Sequence, residues 1–141
     1  MSLVVVSGAL ANKLNQGGEA WVRLSYLLGL RELGYRVHFL EQIREPPGVD
    51  PKESAGPCGA DAGRIYFERV MKDFGLADCS TLVAVDGLGK ASVPNWLSDL
   101  ADSASVLLNI SGHLTIEPLR SRFRCKVFID LDPGYTQFWH T

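Results

Sequence analysis

Three stretches of this chain are apolar almost throughout rather than at every second position, and nothing else in the sequence restricts the fold as much. They are Leu82-Val83-Ala84-Val85, Val106-Leu107-Leu108-Asn109-Ile110 and Val127-Phe128-Ile129. A strand with one wet face alternates between apolar and polar residues. A strand that is apolar on both faces must be covered on both, which is the condition of strands in a parallel sheet. Two further β-branched runs, 3–7 and 36–41, join the later ones, read as 81–85, 105–110 and 126–131.

Helix-like segments separate these runs. The first, 18–33, carries Trp21, Leu24, Leu27 and Leu28 on one face, opens with Glu19 and is followed by Gly34, a left-handed cap. The second, 63–74, sets Ile65, Val70 and Phe74 among Arg64, Glu68, Arg69 and Lys72 and stops at Gly75. A third is expected to start with Ser92 as its cap and Pro94 in the first turn, and to run through Trp96, Leu97 and Leu100. A fourth, 115–123, would have Thr115 as cap, Pro118 early, and Leu119 and Phe123 facing inward. Strand and helix alternate throughout, so right-handed crossovers predict an α/β fold: a parallel sheet of five strands in the order 3-2-1-4-5, helices on both faces, and sites at the carboxyl ends of the strands.

With 141 residues, 1–141 reads as a single domain. A net charge of −2 argues against a nucleic-acid surface, and the apolar runs are too short to span a membrane. Cys58, Cys79 and Cys125 are odd in number and lack C-x-x-C spacing, so they read as free thiols of a reducing compartment. Ala9-Leu10-Ala11 mimics a leader cleavage site, but no Lys or Arg precedes the Val-Val-Val run. A buried first strand and a cytoplasmic protein are expected instead. Residues 43–61, with Glu45-Pro46-Pro47-Gly48, form a long connection of a kind that is usually functional or mobile. The tail after the fifth strand, with Tyr135, Phe138 and Trp139 and no covering helix, reads as a chain cut short.

Chemistry gathers at a few places. Asn12-Lys13-Leu14-Asn15-Gln16-Gly17-Gly18-Glu19 joins the first strand to the first helix. Glycines there let an anion approach the backbone, and a helix start offers unpaired N–H groups and a positive dipole end. The plain alternative is a tight strand-to-helix turn. This is not G-x-G-x-x-G, which disfavours a nicotinamide dinucleotide fold, although Glu41 stands where such a fold keeps its ribose acid. Asp86-Gly87-Leu88-Gly89-Lys90-Ala91 lacks the G-K-[ST] of a phosphate loop and reads as a solvent loop. His113, in Ser111-Gly112-His113 after the fourth strand, is the candidate catalytic residue, as general base or ligand for a substrate hydroxyl; a loop histidine without a role is the alternative. His38 lies within a strand and reads as packed or exposed on one face. Asp130 and Asp132 share a face but lack a third ligand, so no metal site is expected and Asp132 reads as a turn cap.

Taken together, these pieces resemble the N-terminal domain of glycosyltransferases of the two-Rossmann-domain class (GT-B). Gln16-Gly17-Gly18-Glu19-Ala20-Trp21 and Leu30-Arg31-Glu32-Leu33-Gly34-Tyr35-Arg36-Val37 carry the likeness, which covers the whole chain in layout. The resemblance implies a Rossmann-like domain that binds the acceptor, a small molecule or glycan, and forms one wall of a cleft. Gly17 and Gly18, helped by Lys13, would meet the diphosphate of a nucleotide-sugar, which is the donor substrate; no cofactor is bound tightly. His113 would lie on the cleft wall. A C-terminal domain absent from this sequence would hold most of the nucleotide, so the isolated chain is expected to be inactive. The competing expectation is a non-catalytic binding or protein-interaction domain, with self-association into a homo-oligomer through an exposed sheet edge and the aromatic tail.

Overall fold

The computed structural model describes residues 1–44, 60–132, 134 and 139. Most of the 43–61 connection, Cys58, Tyr135, Phe138 and His140 therefore lie outside the described residues. The chain runs β1 (Leu3–Ser7), α1 (Gly17–Glu32), β2 (Arg36–Arg44), α2 (Ala60–Asp73), β3 (Ser80–Val85), α3 (Asn95–Ser103), β4 (Val106–Ile110), α4 (Glu117–Arg120) and β5 (Lys126–Ile129). A short 3-10 turn, Ala11–Lys13, interrupts the connection from β1 to α1. The five strands form one parallel sheet in the order β3-β2-β1-β4-β5. This is the α/β, Rossmann-like architecture that the continuously apolar runs predict.

The pleat divides the core in two. Val4 and Val6 of β1, with Phe39 and Ile43 of β2, pack on Leu24 and Leu27 of α1 and on Phe67 and Met71 of α2. Leu3 and Val5, with Leu40 and Leu107, pack on Leu97 and Ala101 of α3 and on Leu119 and Phe123. Successive side chains of a strand point to opposite faces, so β1 is apolar from Leu3 to Val6 and serves both layers. Phe39 and Phe67 stack with ring centroids 5.9 Å apart where β2 meets α2. Gly34 takes φ +87° after α1, the left-handed conformation that ends a helix without penalty when no Cβ is present.

The helix faces and caps depart from expectation at several points. Trp21 is 58% exposed and makes a T-shaped contact with Phe74, ring centroids 5.4 Å apart. Ile65 is 65% exposed, because the buried stripe of α2 runs through Phe67 and Met71. Trp96 is half exposed beside the buried stripe of Leu97 and Ala101. Ser92 does not cap α3: the helix starts at Asn95 with Pro94 extended at the cap. A proline disfavours helical backbone in the residue before it, so Val93 and Ser92 stay outside. Thr115 does not cap α4, which spans four residues from Glu117 with Ile116 at its cap, because both the N–H and hydroxyl of Thr115 are engaged by Gln42. At the end of β5, which stops at Ile129, Asp130 Oδ1 accepts the Asp132 N–H at 2.9 Å, while the turn through Pro133 that Asp132 was expected to cap lies outside the described residues.

Candidate functional site

In a 3-2-1-4-5 sheet the chain leaves β1 and β4 in opposite directions, which opens a crevice over their carboxyl ends. Two segments rise from those strand ends. One runs from Gly8 through the 3-10 turn to the start of α1, and the other is Ser111-Gly112-His113. The first is held by Glu41 of β2, and the chain after the second by Gln42 of β2 and Asn109 of β4.

Glu41 holds the first wall. It is 1% exposed, and its carboxylate accepts the backbone N–H groups of Leu10 and Ala11 on Oε2, both at 2.9 Å. Oε1 accepts the Asn12 N–H at 3.0 Å and the Asn12 side-chain amide at 2.8 Å. Burial raises the carboxyl above the usual carboxylate range, and the four donors draw it back. An ionised carboxylate has about four acceptor positions, and all are taken. Glu41 thus has nothing left for a ribose diol, which counts further against a dinucleotide reading. The opposite side of the same loop is pressed by α2, where a Cβ on Gly63 would lie 2.6 Å from the Ala11 carbonyl oxygen.

Gln42 and Asn109 hold the second wall. Gln42 Oε1 accepts the N–H groups of Thr115 at 2.7 Å and Ile116 at 3.3 Å, while its Nε2 donates to the Thr115 hydroxyl at 2.8 Å. Asn109, buried in β4, both accepts from and donates to the backbone of Leu114 at 3.1 Å. Between these anchors the chain turns sharply, Ser111 at φ +54° and Gly112 at φ +67°. A left-handed conformation at a non-glycine residue is uncommon. It turns the chain back at the strand end, ahead of His113.

His113 is half-buried, and its imidazole is held below the usual histidine value, first by burial and then by the charges of Arg23 and Lys13; Glu19 opposes them. Its neutral form is thereby favoured. Arg23 is 1% exposed and its Nη1 donates to Glu19, to the carbonyl oxygen at 3.1 Å and to the carboxylate. Among the described residues, Arg23 Nε and the hydroxyl of Ser7 are both buried with no hydrogen-bond partner. Gly8 makes room for this arginine: a Cβ there would stand 3.1 Å from Arg23 Cγ and Nε. Three charged groups, Arg23, Lys13 and Glu19, thus act on one half-buried imidazole.

Gly17 and Gly18 are the first two residues of α1, exposed, with no side chain capping the helix start. Neither takes a positive φ, and a Cβ on either would meet nothing within 4 Å. The fold does not need these glycines, whereas it needs Gly63 against the Ala11 carbonyl and keeps Gly8 close against the Arg23 side chain. Lys13, half-buried at the end of the 3-10 turn, accepts the Gln16 N–H on its carbonyl at 3.1 Å, leading the chain into α1. Sequence reasoning singled out Gly17, Gly18, Lys13 and His113, and missed Arg23, Gly8, Gln42 and Asn109. The available signals were a glycine immediately after β1 and polar residues set into the apolar runs of β2 and β4.

The other candidates lie elsewhere. Asp86 closes its own loop, with Oδ1 accepting the N–H groups of Leu88 at 2.9 Å and Lys90 at 2.8 Å, as a self-contained solvent turn does. His38 is buried and its Nε2 lies 2.8 Å from the Thr81 hydroxyl. Among the described residues no group of three or more His, Cys, Asp or Glu is placed to hold a metal ion, and no helix is long and apolar enough to cross a membrane. No protein-family model matches the chain, and no curated protein matches it.

Proposed function

We propose that this chain is the acceptor-side domain of a nucleotide-sugar-dependent glycosyltransferase, working with a second, C-terminal domain that holds the nucleoside. The observation that carries the reading is an uncapped helix start at Gly17–Gly18 together with a half-buried imidazole at His113, on which Lys13 and Glu19 beside that helix start act electrostatically. In this reading the donor diphosphate sits at the start of α1. The open N–H groups there, with Lys13, offset the charge that develops as the diphosphate leaves, which is electrostatic stabilisation without a metal. His113 accepts the proton of the acceptor hydroxyl, and an imidazole kept neutral is in the correct state to do so. A non-catalytic interaction domain is the second reading, favoured by β5 at the edge of the sheet, where Phe128 is 61% exposed and Val127 is also open.

Full-length protein assayed for nucleoside diphosphate release from a panel of nucleotide-sugars tests the proposal. Gly18→Val suits this assay, since the space around Gly18 is open and the fold should tolerate the side chain. Turnover should fall by about 100-fold with acceptor affinity little changed. Release at wild-type rate by the variant removes the phosphate role, and no release from any donor removes the enzyme reading. A stable dimer that buries Phe128, without nucleotide-sugar binding, would favour the interaction domain instead.

A further inference from the structure

We infer that Glu41 is a positioning residue of this crevice: an internal carboxylate that occupies the loop between β1 and α1 as a ligand anion would, and so leaves the start of α1 as the surface that meets the ligand. The inference rests on the anion-binding reading above only for its last clause. The first part stands on geometry alone.

Consecutive backbone N–H groups that converge on one point form a concavity suited to an anion. Leu10, Ala11 and Asn12 converge in this way, and the anion they hold belongs to the chain itself. Every donor is an N–H group, so only the ionised carboxylate can accept all four bonds; a protonated oxygen would turn a donor against a donor. Asn12 ties the same loop a second time, its Nδ2 donating to the Gln42 carbonyl at 2.9 Å. With α2 pressing on Ala11 from the other side, the loop has little freedom. The next residue is Lys13, and Gln16 and α1 follow directly. Fixing residues 10–12 therefore fixes where Lys13 and the first turn of α1 stand. Glu41 lies at the carboxyl end of β2, where open α/β sheets present an acid to a bound ribose. Here the acid faces inward, and the specificity it could have given a ligand is spent on the loop.

The whole chain is titrated with acetate and, separately, with inorganic pyrophosphate, while backbone amides are followed by NMR. In the wild type, acetate should leave Leu10, Ala11 and Asn12 unmoved, and pyrophosphate should shift Gly17, Gly18 and Glu19 only. In Glu41→Ala, acetate should enter the vacated position, shift all three loop amides saturably and raise the melting temperature, which a merely lost packing contact would not do. Glu41→Gln, which fills the same space, should gain nothing from acetate. Loop amides of Glu41→Ala that are blind to acetate, or wild-type loop amides that respond to pyrophosphate, overturn the inference. Should Glu41→Ala fail to fold, the wild type decides: the three amides must be protected from exchange together, and one that exchanges freely overturns it. Absence of any pyrophosphate response would instead count against the phosphate role of α1, and the acetate result would still judge Glu41.

Discussion

Glu41 and Gln42 are neighbours on β2, yet they hold opposite walls of the crevice by different physics. Glu41 points to the α1 and α2 face and is buried, so it presents a charge taken out of water to three backbone N–H groups and an amide. Gln42 points to the other face and is partly solvated, joining residues 115 and 116 by neutral bonds. A buried charge gives strong, directional hold, and leaves large penalties if either side of the contact is removed. A neutral amide at the surface gives less and risks less, because water can replace it. The wall that carries Lys13 and leads into α1 is therefore the stiffer and the more fragile of the two.

The largest effect should come from Glu41→Ala, which strands three N–H groups, two of them buried, and should cost about 4 kcal/mol in denaturant unfolding. A cost below about 1 kcal/mol would show that water satisfies the loop as well as the carboxylate does. Next in size is the pH response of β2. Burial lowers His38 to about 4 from its ordinary 6.5. Its contribution is full above pH 6.5 and is lost as pH falls through that window, by up to about 3 kcal/mol at one pKa unit per 1.36 kcal/mol. A stability curve for His38→Gln should flatten this acid loss, and any pH response traced to the Gln42 wall would break the comparison.

Gln42→Ala should cost about 1.5 kcal/mol and loosen the 111–113 turn, seen as faster exchange of the Thr115 and Ile116 amides. Smallest is Gly8→Ala, expected at about 1 kcal/mol, since the new Cβ must push Arg23 aside. Its informative readout is His113: with the guanidinium displaced, the imidazole should titrate higher in an NMR titration, because Arg23 helps to hold it down. An unchanged His113 midpoint would mean that burial and Lys13 alone account for its state.

The strands were legible because their pattern is local. Leu82–Val85 and Val127–Ile129 announce strands without reference to the rest of the chain. Gly34 and Gly75 marked helix ends for the same reason, and both take positive φ. But β5 lies at the sheet edge with Val127 and Phe128 exposed, so the expected cover on both faces fails there. The helix faces were less legible. Trp21, Ile65 and Trp96 have the composition of core residues, and only the position of each helix against the sheet decides that they lie at the margin. The crevice was half legible. His113 and Lys13 could be placed by following a strand to its end, whereas Arg23 lies within a helix whose pattern gives no reason to look for a buried cation.

The order of apolar runs, their continuity and the turn residues between them suffice for a five-stranded parallel sheet with its polar edge at the strand ends. These are properties of single segments, read over a few residues at a time. What only the tertiary structure decides is which polar groups meet. Glu41 reaches Leu10, Ala11 and Asn12 across about thirty positions, and Gln42 reaches Thr115 and Ile116 across more than seventy. No local pattern encodes such a pairing, because a buried acceptor is satisfied by whichever donors the packed sheet brings to it. The Gly17–Gly18 pair, which the fold itself does not require, and Gly63, which it does, look alike in one dimension and are separated only in three.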